Sequence, residues 1–309
     1  MAQLGCRVLT QPDDPVEVPT IMRALEPEVF DAVWAAVEPL IPAPRKTHPL
    51  GCHRRRTPDR ICFQAMLIRL VTGCSWVDVE ALVGGAVSDT TLRGRRDEWE
   101  RAGLFDLLAE EALAAYDKII GLDLSESAVD GSQHKAPRGG EGTGRNPVDR
   151  GKRGWKWSLL TDRAGIPFGW TTDGAQRHDV ALFGPTLEAG VRRGLVADIE
   201  TLHLDRGYDS AGVRSMCADH GLDDIVANRQ RRTKKQRGAA RGKKVVSLGM
   251  RWPVERTNAW LANFGQLRRN TDRTVAHRLV QLALAIVVLI TAKLIDWRNR
   301  WSPTSTPIR

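Results

Sequence analysis

The sequence predicts an α/β protein in which a mixed sheet flanked by helices follows an all-α region of helix-turn-helix type. Apolar residues recur at helical spacing in several segments between Glu28 and Ile120, whereas strand and helix patterns alternate from Glu126 onwards. Two strand-like runs, 156–162 and 166–172, are separated by the short link Arg163-Ala164-Gly165, which is typical of a hairpin. A hairpin followed by strands that alternate with helices indicates a mixed sheet covered by helices.

The chain is predicted to begin with an irregular arm, residues 1–25, because three prolines interrupt it without any period. A helix is predicted from Glu28 to Leu40, followed by a Pro-rich basic link at 42–56. Thr57 is a candidate N-cap with Pro58 at the first helical position, and Gly73 ends this second helix.

A helix-turn-helix is predicted next. Ser75 caps a helix over 76–83, Gly84-Gly85 turns the chain, and Ser88 caps a second helix that runs to about Ala102. The second helix carries Arg93, Arg95 and Arg96, which suits a helix that reads the major groove of DNA. The alternative is a plain helical hairpin within a bundle. One more helix, Leu104 to Ile120, completes the predicted region 26–125.

The second region, 126–298, is predicted to contain five strands and four helices. The predicted strands are 127–131, 156–162, 166–172, 201–205 and 224–227, and the predicted helices are 180–193, 210–220, 253–264 and 274–297. Residues 299–309 are left as a C-terminal tail.

Basic charge is concentrated in one segment of the chain. The formal net charge is +9, and residues 229–244 contain nine Lys or Arg and no acid. Such a run is often a solvated, flexible loop, but this one lies between two candidate catalytic acids, where a polyanion would bind. A second basic cluster lies between Arg45 and Arg56. Two basic patches suit a long duplex better than a small ligand.

Three acids are candidates for metal-dependent chemistry. Asp130 and Asp205 each end a short apolar run, so we expect both at the carboxyl ends of strands, where ligands bind. Glu255 follows Pro253 on a predicted helix that would pack beside the sheet. Three carboxylates suit Mg²⁺, with Mn²⁺ as a substitute, and two ions about 4 Å apart would hold the attacking and leaving oxygens of a displacement at phosphorus. Taken alone, Glu255 would be an ordinary surface residue.

The remaining composition predicts a cytoplasmic protein without a membrane span. The five cysteines are scattered and include no Cys-x-x-Cys pair, so reduced thiols are expected. The first residues lack the pattern of a signal peptide. The longest uncharged apolar stretch, Leu279 to Ala292, is too short to span a membrane and predicts a buried helix.

Several motifs together resemble those of the DDE transposases of bacterial insertion sequences, in particular the insertion sequence five branch. They are Val129-Asp130-Gly131-Ser132, Gly151-Lys152-Arg153-Gly154, Gln176-Arg177-His178-Asp179, Leu204-Asp205-Arg206-Gly207-Tyr208-Asp209, and Val254-Glu255-Arg256-Thr257 with Trp260 and Phe264. In the amino-terminal half, Ala35 to Pro44 and Thr72-Gly73-Cys74-Ser75-Trp76 look like that branch's DNA-binding region. The resemblance covers about residues 28–297.

The resemblance implies a ribonuclease H-like catalytic domain in which Asp130, Asp205 and Glu255 are the Mg²⁺ ligands. Arg251 matches the arginine that accompanies the family's glutamate, whereas Asn263 stands where many relatives carry a basic residue. The implied function is a transposase that binds terminal inverted repeats, cleaves double-stranded DNA and transfers the ends to target DNA. A homodimer or larger assembly on DNA is expected because both ends must be held together. The resemblance also implies a cytoplasmic protein that is associated with the nucleoid.

Basic side chains in six parts of the chain are predicted to contact DNA. They are Arg54, Arg55, Arg56, Arg93, Arg95, Arg96, Lys152, Arg153, Arg206, Arg229, Arg231, Arg232, Lys234, Lys235, Arg251 and Arg256. His178 and Trp252 are further site candidates, although helix capping and core packing are the commoner roles of such residues. Two other functions remain open: a DNA-binding protein without catalysis, and a ribonuclease H-like nuclease that cuts but does not join.

Overall fold

The computed structural model describes residues 24–44, 56–227 and 251–301. Within these ranges, a helical region precedes a six-stranded mixed sheet, and helices pack against both faces of the sheet. The order and direction of the strands are those expected of a ribonuclease H-like fold, so the predicted fold class is confirmed.

Local capping signals determine where the helices of the first region begin and end. They are α1 (Pro27–Val37), a 3-10 turn (Glu38–Leu40), α2 (Asp59–Thr72), α3 (Trp76–Leu82), α4 (Asp89–Arg101) and α5 (Leu104–Ile119). Ser75 and Asp78 form a reciprocal capping box at α3, and the Ser88 side chain accepts the Thr91 amide at α4. The N-cap of α2 is Pro58 and not the predicted Thr57, whose carbonyl oxygen instead accepts a hydrogen bond from Arg95.

The sheet is built around one long central strand. Its strands are β1 (Glu126–Lys135), β2 (Gly144–Arg145), β3 (Arg153–Thr161), β4 (Pro167–Gly174), β5 (Thr201–Leu204) and β6 (Asp224–Val226). β1 pairs antiparallel with β3 and parallel with β5, which pairs parallel with β6, while β2 and β4 both lie along the outer edge of β3.

Alternation along β1 and β3 assigns their side chains to the two faces of the sheet. The remaining helices are α6 (Asp179–Arg192), α7 (Ala211–Asp219), α8 (Trp252–Leu261), α9 (Gly265–Arg268) and α10 (Val275–Trp301). Trp157 bonds to Asn258 of α8 on one face, whereas the neighbouring Lys156 bonds to Asp179 of α6 on the other. Each face of the sheet is therefore covered by a helix that approaches the middle of β1.

The last helix, α10, joins the two regions of the fold. It packs against α1 and α5 of the first region and against β4 of the sheet. By length and composition it could cross a membrane, but 72% of its most apolar window is buried inside the protein. The predicted buried helix over Leu279–Ala292 is confirmed, since every residue from Val280 to Ile290 is buried.

Candidate active site

The parallel pairing of β1 and β5 brings Asp130 and Asp205 side by side. Val129 lies opposite Leu204, so the two aspartates are the next residues on neighbouring strands, which run about 4.8 Å apart. Asp205 follows the end of β5, as predicted, and accepts a hydrogen bond from the Arg206 amide at 2.7 Å. The prediction that Asp130 ends a strand is wrong, because β1 continues to Lys135 as the hairpin partner of β3.

Helix α8 carries Glu255 and is anchored at the turn between β3 and β4. The Thr257 hydroxyl donates to the Gly165 carbonyl oxygen at 2.6 Å, and the Arg256 guanidinium donates to the Ala164 carbonyl oxygen at 2.8 Å. Pro253 occupies the first turn of the helix, as predicted. These contacts fix the amino-terminal half of α8 over the sheet and leave the Glu255 side chain half exposed.

Arg251, the residue that precedes α8, contacts two of the three acids directly. One guanidinium nitrogen donates to Asp205 Oδ1 at 2.6 Å, and the other donates to Glu255 Oε1. Burial lowers the pKa of Arg251, but Glu255, Asp205 and Asp130 together raise it above its usual value. The Arg251 guanidinium is therefore close to all three acids.

Asp130 is the most buried of the three acids. Burial raises the pKa of its carboxyl to about 6; nearby Glu255 adds to the rise, while the Gly131 amide, Arg251 and Asn258 oppose it. The Asn258 amide nitrogen donates to Asp130 Oδ2 at 3.1 Å. This carboxyl lies in an environment that disfavours its negative charge unless a cation is close.

The three acids suit a divalent cation by their chemistry. Carboxylate oxygens are ligands of Mg²⁺ and Mn²⁺, and the charge of the partly buried Asp130 would be stabilised by a nearby cation. Among the described residues, however, no three Asp, Glu, His or Cys side chains form a ready-made metal cluster. Arg251 instead supplies the positive charge between Asp205 and Glu255.

Three residues near the acids were not predicted as part of the site. Lys156 is buried and donates at 2.7 Å both to Asp179 Oδ1 and to the Arg177 carbonyl oxygen. The pKa of the buried Tyr208 hydroxyl is raised by burial and then by Asp179, Asp130 and Asp205, so this ring lies among those acids. Lys156 could have been noticed as a charge in an otherwise apolar strand; Asp179 and Tyr208 lie within motifs already singled out.

The prediction that Arg95 and Arg96 contact DNA is wrong, because both side chains are buried inside the protein. Arg95 forms ion pairs with Asp59 and Glu98, and Arg96 forms ion pairs with Asp97 and the buried Asp272. Their charges are thus neutralised where α4 packs against the rest of the fold. Helical periodicity placed these arginines on α4 but did not show which face of the helix is solvated.

Other predicted DNA contacts occupy varied positions. Arg93 is exposed and pairs with Asp89 at 2.8 Å, and the half-buried Arg56 bonds to Glu98 at 3.0 and 3.1 Å. Lys152, Arg153 and Arg206 are exposed. Seven others lie outside the described residues: Arg54, Arg55, Arg229, Arg231, Arg232, Lys234 and Lys235.

The remaining candidates flank the acids. Arg256 stacks between Trp252 and Trp260, with its guanidinium carbon 4.5 and 4.6 Å from the two ring centroids. Trp252 is 55% exposed, so it is not a core residue. His178 occupies the N-cap position of α6, but its exposed side chain makes no capping hydrogen bond.

Exposed basic residues surround the far end of the β1–β3 hairpin. We call them the basic hairpin surface: Lys135, Arg138, Arg145, Arg150, Lys152, Arg153, Arg268, Arg269 and Arg273. The Asn270 amide donates to the Lys135 carbonyl oxygen at 2.8 Å, which joins the segment after α8 to the end of β1. None of the nine forms an ion pair with another residue in the described ranges. Their charge is available to an anionic partner.

Comparison with known proteins yields two family models that match successive parts of the chain. The model described as a transposase DDE domain matches residues 122–290, and one described as a putative transposase of the IS4/5 family matches residues 29–109.

Two relatives come from Burkholderia cepacia. A putative transposase for insertion sequence element IS402 is 36% identical over 136 residues, which are 42% of this chain and 60% of that protein. An uncharacterized 16.2 kDa protein of the insertion element IS402 is 33% identical over 122 residues, which are 40% of this chain and 82% of that protein. Among solved structures, a pre-cleavage Mos1 transpososome is 10% identical with a TM-score of 0.27 over 82% of both chains, a similarity too low to support any inference.

Proposed function

The chain belongs to the family of transposases with a DDE domain, whose model covers more than half of it, and we propose that it cleaves and joins DNA. Its substrates would be the terminal inverted repeats of an insertion sequence and a target duplex. The observation that carries this proposal is the convergence of Asp130, Asp205 and Glu255 around Arg251.

Asp130, Asp205 and Glu255 would hold the divalent ions, two of Mg²⁺ or, in substitution, of Mn²⁺. When bound, such ions supply activation of a water or 3′-hydroxyl oxygen and stabilisation of the departing oxygen at phosphorus. If Asp205 and Glu255 bound the ions, Arg251 would be released from its contacts with these two acids and would neutralise phosphate charge. The exposed Arg206, next to Asp205 in the chain, would also neutralise phosphate charge.

The basic hairpin surface supports a path for the DNA away from the acids. It begins five residues beyond Asp130 on β1, roughly 17 Å along the strand. A duplex backbone of that length carries several phosphates, which unpaired arginines and lysines bind by releasing counterions. Because a transposase must hold two ends of its element, the active form would be a homodimer or larger assembly on DNA. It would act in the cytoplasm, where a bacterial nucleoid lies.

Replacement of Asp205 by Asn tests the catalytic assignment. The variant keeps the size of the side chain but removes the charge that would bind an ion, so cleavage of a labelled end duplex in Mg²⁺ should fall at least about 100-fold. Duplex affinity, measured by fluorescence anisotropy, should change by less than about threefold. The matched control is Asp219→Asn, an exposed position on α7 that should cleave at the unchanged rate. Full cleavage by Asp205→Asn would contradict the assignment.

The same assay separates the alternative functions. Cleavage followed by joining of the labelled end to a second duplex supports transposition. Cleavage without joining would indicate a nuclease, and binding without cleavage would indicate a DNA-binding protein that lacks catalysis.

Neutralising part of the basic hairpin surface tests the DNA path. The double variant Arg268→Gln with Arg269→Gln should weaken binding to duplexes of any sequence and reduce the slope of log affinity against log salt by about one to two. Arg192→Gln, an exposed arginine on α6, is the control and should leave the slope unchanged. An unaltered slope in the double variant would remove these two residues from the interface.

A further inference from the structure

Asn258 connects the first acid of the site to the core of the sheet. Its side chain is buried, its amide nitrogen donates to Asp130 Oδ2 at 3.1 Å, and its amide oxygen accepts the Trp157 indole N–H at 2.8 Å. Trp157 is fully buried on β3, where its ring stacks on His134 with centroids 3.8 Å apart. The indole is therefore held in place by packing.

The Trp157 indole determines which way the Asn258 amide points. An indole N–H only donates, so the group it meets must be the amide oxygen, and the amide N–H₂ is then presented to Asp130. A reversed amide would place two donors against each other at Trp157 and two acceptors against each other at Asp130. The Trp157 indole in the core thus favours the same orientation of Asn258 as the acid does, and it would keep that orientation whatever the charge of Asp130.

Asn258 also connects the two elements that carry the first and third acids. It lies three residues after Glu255, on the same side of α8, while Asp130 lies on β1. The hydrogen bond from Asn258 occupies one oxygen of Asp130 and holds the helix against the strand. No other described side chain makes a hydrogen bond to the Asp130 carboxylate.

We propose that Asn258 is a positioning residue that, through Trp157, fixes the orientation of the Asp130 carboxylate relative to Glu255 for binding a divalent cation. This inference rests on the proposed metal-dependent function. Groups that orient metal ligands by hydrogen bonds typically change metal affinity 10–100-fold when removed.

The test compares three variants of the full chain, each measured for Mn²⁺ affinity without DNA, by the loss of the free-ion electron paramagnetic resonance signal, and for thermal stability. Asn258→Leu removes both hydrogen bonds and leaves the Trp157 N–H unsatisfied, so affinity should fall about tenfold or more and stability should also fall. Trp157→Phe keeps Asn258 but frees its amide to turn, so a smaller loss of affinity is expected. The double variant pairs apolar groups and should regain stability but not Mn²⁺ affinity.

The double variant separates positioning from a merely structural role. If Asn258 served only to satisfy the Trp157 N–H, stability and Mn²⁺ affinity would recover together, and this result would overturn the inference. If Asn258→Leu alone does not fold, the double variant is compared with Trp157→Phe, from which it differs only at residue 258. Failure of the unchanged protein to bind Mn²⁺ would instead contradict the proposed metal chemistry itself.

Discussion

Arg251 acts at the site through the shape of its side chain as well as its charge. Its planar guanidinium reaches Asp205 with one terminal nitrogen and Glu255 with the other, a bridge that a lysine ammonium on a flexible stem would make less well. The bridge therefore also holds Asp205 and Glu255, both half exposed, close together.

Asp162 has a raised pKa for a structural reason. Its carboxylate is buried at the end of β3 and accepts the Ile166 amide at 2.7 Å and the Asp123 amide at 3.2 Å. Burial raises its pKa from 3.8 to about 6, although these amides oppose the rise. These contacts, with the Gly165 amide donating to the Asp162 carbonyl oxygen at 3.0 Å, make Asp162 a structural residue of the turn between β3 and β4.

Stability should depend on pH through Asp162. Between pH 4 and 6 the unfolded chain loses this proton while the folded chain largely keeps it, so the free energy of unfolding falls by about 2 kcal/mol as pH rises through this range. The side chain in Asp162→Asn stays neutral, so the fall in its free energy of unfolding between pH 4 and 6, measured by urea unfolding, should be about 2 kcal/mol smaller than in the unchanged protein. Asp173→Asn, at a half-exposed position near the end of β4, is the control. Identical pH profiles for Asp162→Asn and the unchanged protein would contradict this account.

At the scale of elements, two glycines allow α2 and α9 to touch through their backbones. Gly73 ends α2 in the left-handed region with a φ of 75°, and a Cβ added at Gly265 would lie 2.5 Å from the Gly73 nitrogen. Backbone atoms cannot move aside as a flexible side chain can. This contact fixes the segment after α8 against the helical region, and α8 carries Glu255.

Gly265→Ala should therefore destabilise the protein by about 1–3 kcal/mol, as overpacking does in a dense interior. Gly94→Ala provides the matched comparison, because Gly94 lies within α4 with no atom near its missing side chain. That variant should gain about 0.5–1 kcal/mol from helix propensity. Thermal unfolding of both variants measures the difference in stability. Equal stabilities would show that the backbones of α2 and α9 move apart at little cost, which would contradict a tight contact.

β1 is longer than its apolar run because its second half pairs with β3. From Gly131 to Lys135 each residue lies opposite one in the run Gly154–Ser158. This half of the strand has only intermediate burial or exposure, so no hydrophobic signal marks it. The extension carries the chain from the acids to the basic hairpin surface.

At the scale of the whole molecule, a buried ion cluster joins the helical region to the segment before α10. Asp272 accepts from Arg69 at 3.0 and 3.2 Å and from Arg96 at 3.3 Å, and all three side chains are nearly inaccessible. Both guanidiniums also lie over the Trp76 ring, at 4.4 and 5.4 Å from its centroid. Asp272 is thus the acidic partner of buried Arg69 and shares the charge of Arg96 with Asp97.

Asp272→Asn should destabilise the fold by about 3–5 kcal/mol, since it leaves the buried Arg69 guanidinium without its counter-charge and Arg96 with Asp97 alone. Asp97→Asn removes the more exposed partner of Arg96 and should cost less than about 1 kcal/mol. Denaturant unfolding of the two variants checks the contrast. A small effect at Asp272 would show that the arginines find other partners or water.

The amino-acid sequence by itself predicted most of the helices and strands, and it singled out the three acids that the fold brings near Arg251. Helix limits followed from local signals such as Ser75, Ser88 and Gly73, which act within a few residues of the chain. The strand pattern after Glu126 was enough for the fold class, and carboxylates at the ends of apolar runs indicated the chemistry. Such signals are readable in sequence because they depend on neighbours along the chain.

Only the tertiary structure decided which charged side chains are buried and which polar groups meet. Arg95 and Arg96 face the interior, Arg251 bridges acids 46 and 4 residues away, and Asn258 meets Asp130 across 128 residues. These outcomes depend on which faces of helices and strands pack together. Packing is set by the sum of many contacts between distant segments, so no local pattern reveals it.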